Sequence, residues 1–207
     1  MIVATAELAD MLAAIRACRH CVEHPQGKPL PHEPRPVLRA SSTARLAVCS
    51  QAPGTRVHLS GTPFTDRSGD RLREWMGVTP DEFYDEARVA IVPMGFCFPG
   101  HDAHGGDLPP RRECASLWHR RLFEALPQLE LVLAIGSYAQ SFHLGDGAGE
   151  TLQATMLAWR RHLRGKRRPR VLPLPHPSWR NNAWITRNPW FEAELLPVLR
   201  REVRKLL

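Results

Sequence analysis

The sequence predicts an α/β fold: a three-layer αβα sandwich around a central four-stranded, mostly parallel sheet. Two observations carry this expectation. Four short runs (Arg45–Cys49, Arg88–Met94, Leu129–Ile135 and Val171–Leu174), apolar apart from Arg45, Arg88 and Glu130 at or near their starts, alternate with stretches of helical periodicity, the pattern of strands buried on both faces. Each run also ends on a polar, Gly- or Pro-containing loop: Ser50–Gly54, Pro93–Cys97, Gly136–Ser137 and Pro175–Ser178. In a parallel sheet these four loops share one edge, where such folds bind ligands.

The elements follow in order. Ala6–Ala17 has apolar residues at helical spacing and stops at Cys18. Pro25–Pro36 is a proline-rich crossing loop, unsuited to a helix or a central strand. After the first strand, Ser68–Met76 reads as a helix with Ser68 as its N-cap. The second strand runs into a long Gly/Pro/His loop, Gly95–Pro110. Helices are expected over Arg112–Leu126, Ser137–Leu144, Thr151–Leu163 and Phe191–Leu206. The whole chain, 1–207, is read as one domain, with 1–44 contributing its first helix and the Pro-rich loop.

Bulk properties narrow the function classes. A hydrophobic content of 43% over 207 residues suits a globular domain with a sizeable core, not a disordered chain. No apolar run approaches the roughly 18–20 residues that span a bilayer. Glu7 and Asp10 in the first helix argue against a secretory leader, so a cytoplasmic protein is expected; it is also expected to be a monomer. Net charge is +7, and 25 of the 28 basic residues are arginine, only Lys28, Lys166 and Lys205 being lysine (28 − 3). Arginine forks match phosphate, although a GC-rich genome enriches arginine as well. The run Arg160, Arg161, Arg164, Lys166, Arg167, Arg168, Arg170 is either a basic edge near phosphates or a solvated helix end.

Of five cysteines, Cys18 and Cys21 form a C-x-x-C pair, and Cys97 and Cys114 stand 17 residues apart around the long loop. Four thiolates in this arrangement suit an iron–sulfur cluster or a structural zinc. The alternative is a set of small core residues, which is the expected role of Cys49 in the first strand.

Gln51-Ala52-Pro53-Gly54, Gly61-Thr62-Pro63-Phe64, Asp66-Arg67-Ser68-Gly69-Asp70, Val132–Gly136 and His176-Pro177-Ser178 follow one another in an order that, with the four cysteines, resembles the uracil-DNA glycosylase superfamily over nearly the whole chain. Within it the sequence is similar to the iron–sulfur branches called families 4 and 5. The resemblance implies hydrolysis of the bond between a damaged base and deoxyribose in DNA. It also implies a structural [4Fe–4S] cluster held by Cys18, Cys21, Cys97 and Cys114, with zinc as the alternative.

The same resemblance assigns roles. Phe64 would stack on a base flipped out of the duplex, beside Ala52, Pro53 and Gly54. His176 would donate to the carbonyl oxygen on which charge grows as the base leaves. Ser178, Gly54 and Ser137 would contact phosphates, and Trp179 with Arg180 would wedge into the gap. Trp179 reads equally as a core partner of Trp184 and Trp190. Two positions depart from family 4: Gln51 replaces a Glu, and Pro93 falls near the uracil-reading Asn. Gln51 can orient water without acting as a base, His58 and Asp66 become the candidates for the proton, and base recognition passes to Met94, Gly95 and Phe96. The expected activity is release of uracil or another deaminated base. The alternative is a weakened module that binds uracil-containing or abasic DNA without turnover.

Overall fold

The computed structural model describes residues 2–207, with side chains from residue 6. Four strands, β1 (Leu46–Cys49), β2 (Val89–Ile91), β3 (Leu131–Ile135) and β4 (Arg170–Leu174), form one sheet in the order β2-β1-β3-β4. All neighbours are parallel: Ala47 pairs with Ala90 and Val132, and Leu133 pairs with Leu172. The sandwich predicted from sequence is present, and its sheet is wholly parallel.

Strand side chains alternate between two cores. Leu46, Val48, Ile91, Leu131, Leu133 and Leu172 face the helix Arg67–Met76, the helical pair over 152–164 and the C-terminal helix. Ala47, Cys49, Ala90, Val132 and Ala134 face the N-terminal helix Ile2–Arg16 and the helix over 112–124. The second face is built of small residues, which lets those helices lie close to the sheet.

Several elements differ from the sequence reading. Asp66, not Ser68, caps the helix Arg67–Met76, accepting from the Gly69 N–H at 3.2 Å; Ser68 lies inside the first turn. Thr55–Ser60 is a helix, closed by Gly61 at φ 69°. Pro80–Tyr84 is another, held by a reciprocal cap between Thr79 and Glu82. The helix over 112–124 widens into a π turn at Ala115–His119. Because β1 lies between β2 and β3, the chain reverses direction across the sheet there, and a crevice opens beyond the strand ends. The basic run at 160–170 sits at the opposite end of the sheet, around the first residue of β4. There Arg170 pairs with Glu202 at 2.8 Å, and Arg160 pairs with Glu194.

Candidate active site

A pocket of about 230 Å³ lies beyond the ends of β1, β2 and β4, lined by Ser50 to Val57, Gln51 excepted, and by Phe64, Asp66, Pro93, Asp107 and His176. It is smaller than the roughly 300–1,000 Å³ that hold drug-sized ligands, and so suits a single small ring system.

Phe64 forms one wall. It is buried and adopts φ 57°, the one non-glycine residue at positive φ among the described residues. That conformation carries roughly 1–3 kcal/mol of strain and persists only where the surroundings enforce it. The enforcement is visible. Arg73 Nη1 and the Tyr84 hydroxyl donate to the Phe64 carbonyl at 3.1 and 3.2 Å, and the Tyr84 hydroxyl also lies 2.8 Å from the Pro63 carbonyl. The Phe64 ring meets Phe83 edge-on, 5.8 Å between centroids.

His176 sits just past the end of β4, half-buried. The Ser178 N–H donates to its Nδ1 at 3.3 Å, and Asn181 Nδ2 donates to its carbonyl at 2.7 Å. An accepting Nδ1 leaves the proton on Nε2 in the neutral ring. Burial holds the imidazole below its ordinary range against the opposing pull of Asp66 and Asp107. At neutral pH the ring is therefore an uncharged Nε2–H donor.

Two carboxylates reach the pocket. Asp66 was expected there from the sequence. Asp107 was not: it arrives from the long loop after β2, and its Oδ2 lies 3.4 Å from the point a Cβ on Gly54 would occupy. No spacing signal in the sequence links residue 107 to residue 54; the link is made by the fold of the intervening loop.

Ala52, Pro53 and Gly54 line the pocket as expected. Gln51 does not: its backbone carbonyl accepts from the Gly95 N–H at 2.9 Å, while the Ser50 carbonyl accepts from Met94 at 2.8 Å, tying the β1 and β2 loops together. Met94, Gly95 and Phe96 are likewise outside the lining. Phe96 is buried and stacks on His119 at 5.0 Å, and Gly95 passes close to Pro110. His58 is turned away by the Thr55–Ser60 helix and packs on the His32 ring at 4.1 Å, where burial, His32 and Arg35 push it below the ordinary imidazole range. Pocket and His58 are thus on different sides of that short helix.

Trp179 is 74% exposed. Trp184 and Trp190 pair with each other at 5.9 Å, and Trp184 with Phe191, without it. Arg180 lies over the Trp179 ring. The segment that bears them is anchored from below by Arg71, which donates to the Ser178 carbonyl and to Asn182 Oδ1 at 2.7 Å. Ser137 is exposed in the first turn of the helix Gly136–Leu144, on the same edge.

Cys18, Cys21, Cys97 and Cys114 converge on one small apolar cavity with Leu30, Phe96 and Trp118. The Cys114 thiol beside it draws the Cys21 thiol down to about 7, while burial pushes Cys97 up to about 12. The space between them is about 10 Å³, room for one water molecule. Among the described residues no group of three or more His, Cys, Asp or Glu side chains is arranged to hold a metal ion. As a donor set, four thiols without imidazole or carboxylate suit an iron–sulfur cluster. Cys49 lies fully buried in β1, and burial raises its thiol above the ordinary range, as for a packing residue.

Among the described residues no helix is long and apolar enough to cross a membrane. The profile of the Uracil DNA glycosylase superfamily matches residues 39–200, which contain all four strands, the Phe64 wall and His176. A match over that much of the chain shows the family: this protein belongs to the uracil DNA glycosylase superfamily.

Proposed function

We propose that this protein is a DNA glycosylase that takes uracil or another deaminated base, flipped out of DNA, and hydrolyses its N-glycosidic bond. The observation that carries this reading is the pocket of about 230 Å³ with the strained Phe64 as its wall and His176 in its lining, its Nδ1 accepting from the Ser178 N–H. The base would lie against Phe64. As the bond to C1′ stretches, charge grows on the carbonyl oxygen of the leaving base, and an uncharged donor positioned there stabilises it. Exposed Trp179, followed by Arg180, is the candidate wedge for the gap left in the duplex. Ser178 and Ser137 stand on the same edge, where phosphates would pass.

Cys18, Cys21, Cys97 and Cys114 would hold a [4Fe–4S] cluster, with zinc as the alternative. Such a group supplies a crosslink between the end of the first helix and the loop after β2. The protein would act on DNA as a monomer.

The test is a panel of oligonucleotides carrying uracil, hypoxanthine, xanthine or mismatched thymine, single- and double-stranded. Release of free base from at least one supports the reading, and release from none removes it. A second reading, a module that binds damaged DNA without turnover, draws on the Gln51 side chain lying outside the pocket and on Pro93 in its lining. Tight binding to abasic or uracil-containing DNA with no base release would favour it.

A further inference from the structure

We infer that Asp107 is the carboxylate that takes the proton from the attacking water, a role that rests on the glycosylase reading above. The loop after β2 is folded so as to deliver it. His101 and Asp107 pair as an antiparallel bridge, and the Leu108 N–H donates to the Gly100 carbonyl at 2.9 Å. At the tip, the Asp102 N–H donates to the Gly106 carbonyl at 2.8 Å, and Asp102 Oδ1 accepts from the His104 and Gly106 N–H groups at 2.8 and 2.9 Å. Gly100 and Gly105 take positive φ at its two bends. This hairpin lays residue 107 across the pocket mouth, over Gly54.

The two oxygens of Asp107 have different surroundings. Oδ1 lies 3.3 Å from His101 Nδ1, and His101 Nε2 lies 3.1 Å from the Thr55 hydroxyl. A carboxylate can only accept, so the ring proton belongs on Nδ1, the nitrogen that faces Asp107, and Nε2 accepts from the Thr55 hydroxyl. The His101 ring is itself set edge-on against the buried Phe98 at 5.0 Å. Oδ2 is the oxygen that faces Gly54. Asp66, the other pocket carboxylate, already spends Oδ1 on the Gly69 N–H as a helix cap. A braced carboxylate with one oxygen turned to the pocket, and a half-exposed side chain that water can reach, meets the geometric demand on a general base.

In the step, the water oxygen bonds to C1′ as the C1′–N bond breaks. The bonding pair leaves with the base, whose carbonyl oxygen His176 Nε2–H contacts. The water proton passes to Asp107 Oδ2 and from there to solvent. Thr55 and His101 are positioning residues.

The experiment is single-turnover release of base by the full chain from the oligonucleotide panel, with DNA affinity measured in parallel. Asp107→Asn should slow release at least about 100-fold, the low end of general-base contributions, with affinity within about threefold of the parent. Asp107→Glu should recover part of the rate. Asp66→Asn, which can still cap, should lose less than about tenfold. If Asp107→Asn folds poorly, Asp107→Ser must show the same loss. An active parent with Asp107→Asn and Asp107→Ser both within about threefold of it overturns this inference alone. A parent that releases no base from any oligonucleotide overturns the glycosylase function, and this inference with it.

Discussion

The Phe64 carbonyl occupies the space a side chain at position 69 would need: a Cβ built on Gly69 falls 1.9 Å from that oxygen. The helix that follows the pocket wall therefore packs on the wall's own backbone, and only glycine allows it. Gly69→Ala must move either the helix or Phe64. The expected loss is about 3 kcal/mol of stability, at the upper end of overpacking effects, read as a lower denaturant midpoint. Base release should fall with it.

Tyr84 works on the same residue from the other side. Tyr84→Phe keeps the edge-on contact with Phe83 but removes the hydroxyl that bonds the Pro63 and Phe64 carbonyls. Since a typical hydrogen bond contributes about 0.5–1.5 kcal/mol, stability should fall by about 1 kcal/mol in urea titration. A larger proportional fall in base release than in stability would show that the strained wall conformation matters to the reaction.

Trp179→Ala separates binding from folding. The side chain is 74% exposed and outside the Trp184–Trp190 pair, so the unfolding midpoint should not move. Affinity for damaged duplex should drop by about tenfold, the scale of one lost stacking contact. An unchanged affinity would remove Trp179 from the interface.

Acid should destabilise the fold through His143. Burial, with help from His119 and Arg167, pushes this imidazole down to about 3. The unfolded chain then binds the proton more readily than the folded one, so stability is full above about pH 6.5 and declines as pH falls towards 3. His143→Phe, which keeps a ring in a site where Nε2 has no partner, should flatten the dependence of the urea midpoint on pH between 5 and 7. An unaltered slope would point to other groups.

Iron analysis tests the cysteines. The proposed [4Fe–4S] cluster gives about four irons per chain and a brown colour, absorbing near roughly 400 nm. Cys97→Ser should lower the iron content and the melting temperature, while Cys49→Ala, within β1, should leave iron unchanged. Stoichiometric zinc in a colourless protein would replace the cluster with the alternative metal.

The sheet was readable because its strands are short apolar runs with no competing signal; Leu131–Ile135 and Leu46–Cys49 need no partner information to be recognised. The shared edge followed from topology alone, and with it Pro53, Gly54 and His176 in one pocket. Side-chain direction was another matter. Thr55–Ser60 carries no strong helix signal, yet its helical turn is what swings His58 onto His32. The Thr79/Glu82 capping box is present in the letters and marks the helix Pro80–Tyr84, which is too short to show a helical period of its own. Asp107 depends on a hairpin whose register is set by bonds between residues 100 and 108, and no periodic pattern announces that pairing.

Residue 51 joins two loops through its carbonyl, a group every amino acid possesses. Its contribution to the scaffold beneath the pocket is therefore indifferent to side-chain chemistry, and a change of side chain there leaves that tie in place. A motif letter can drift at such a position while the main-chain scaffold stays constant. The same scaffold brings a carboxylate from a different segment, Asp107, to the pocket's edge.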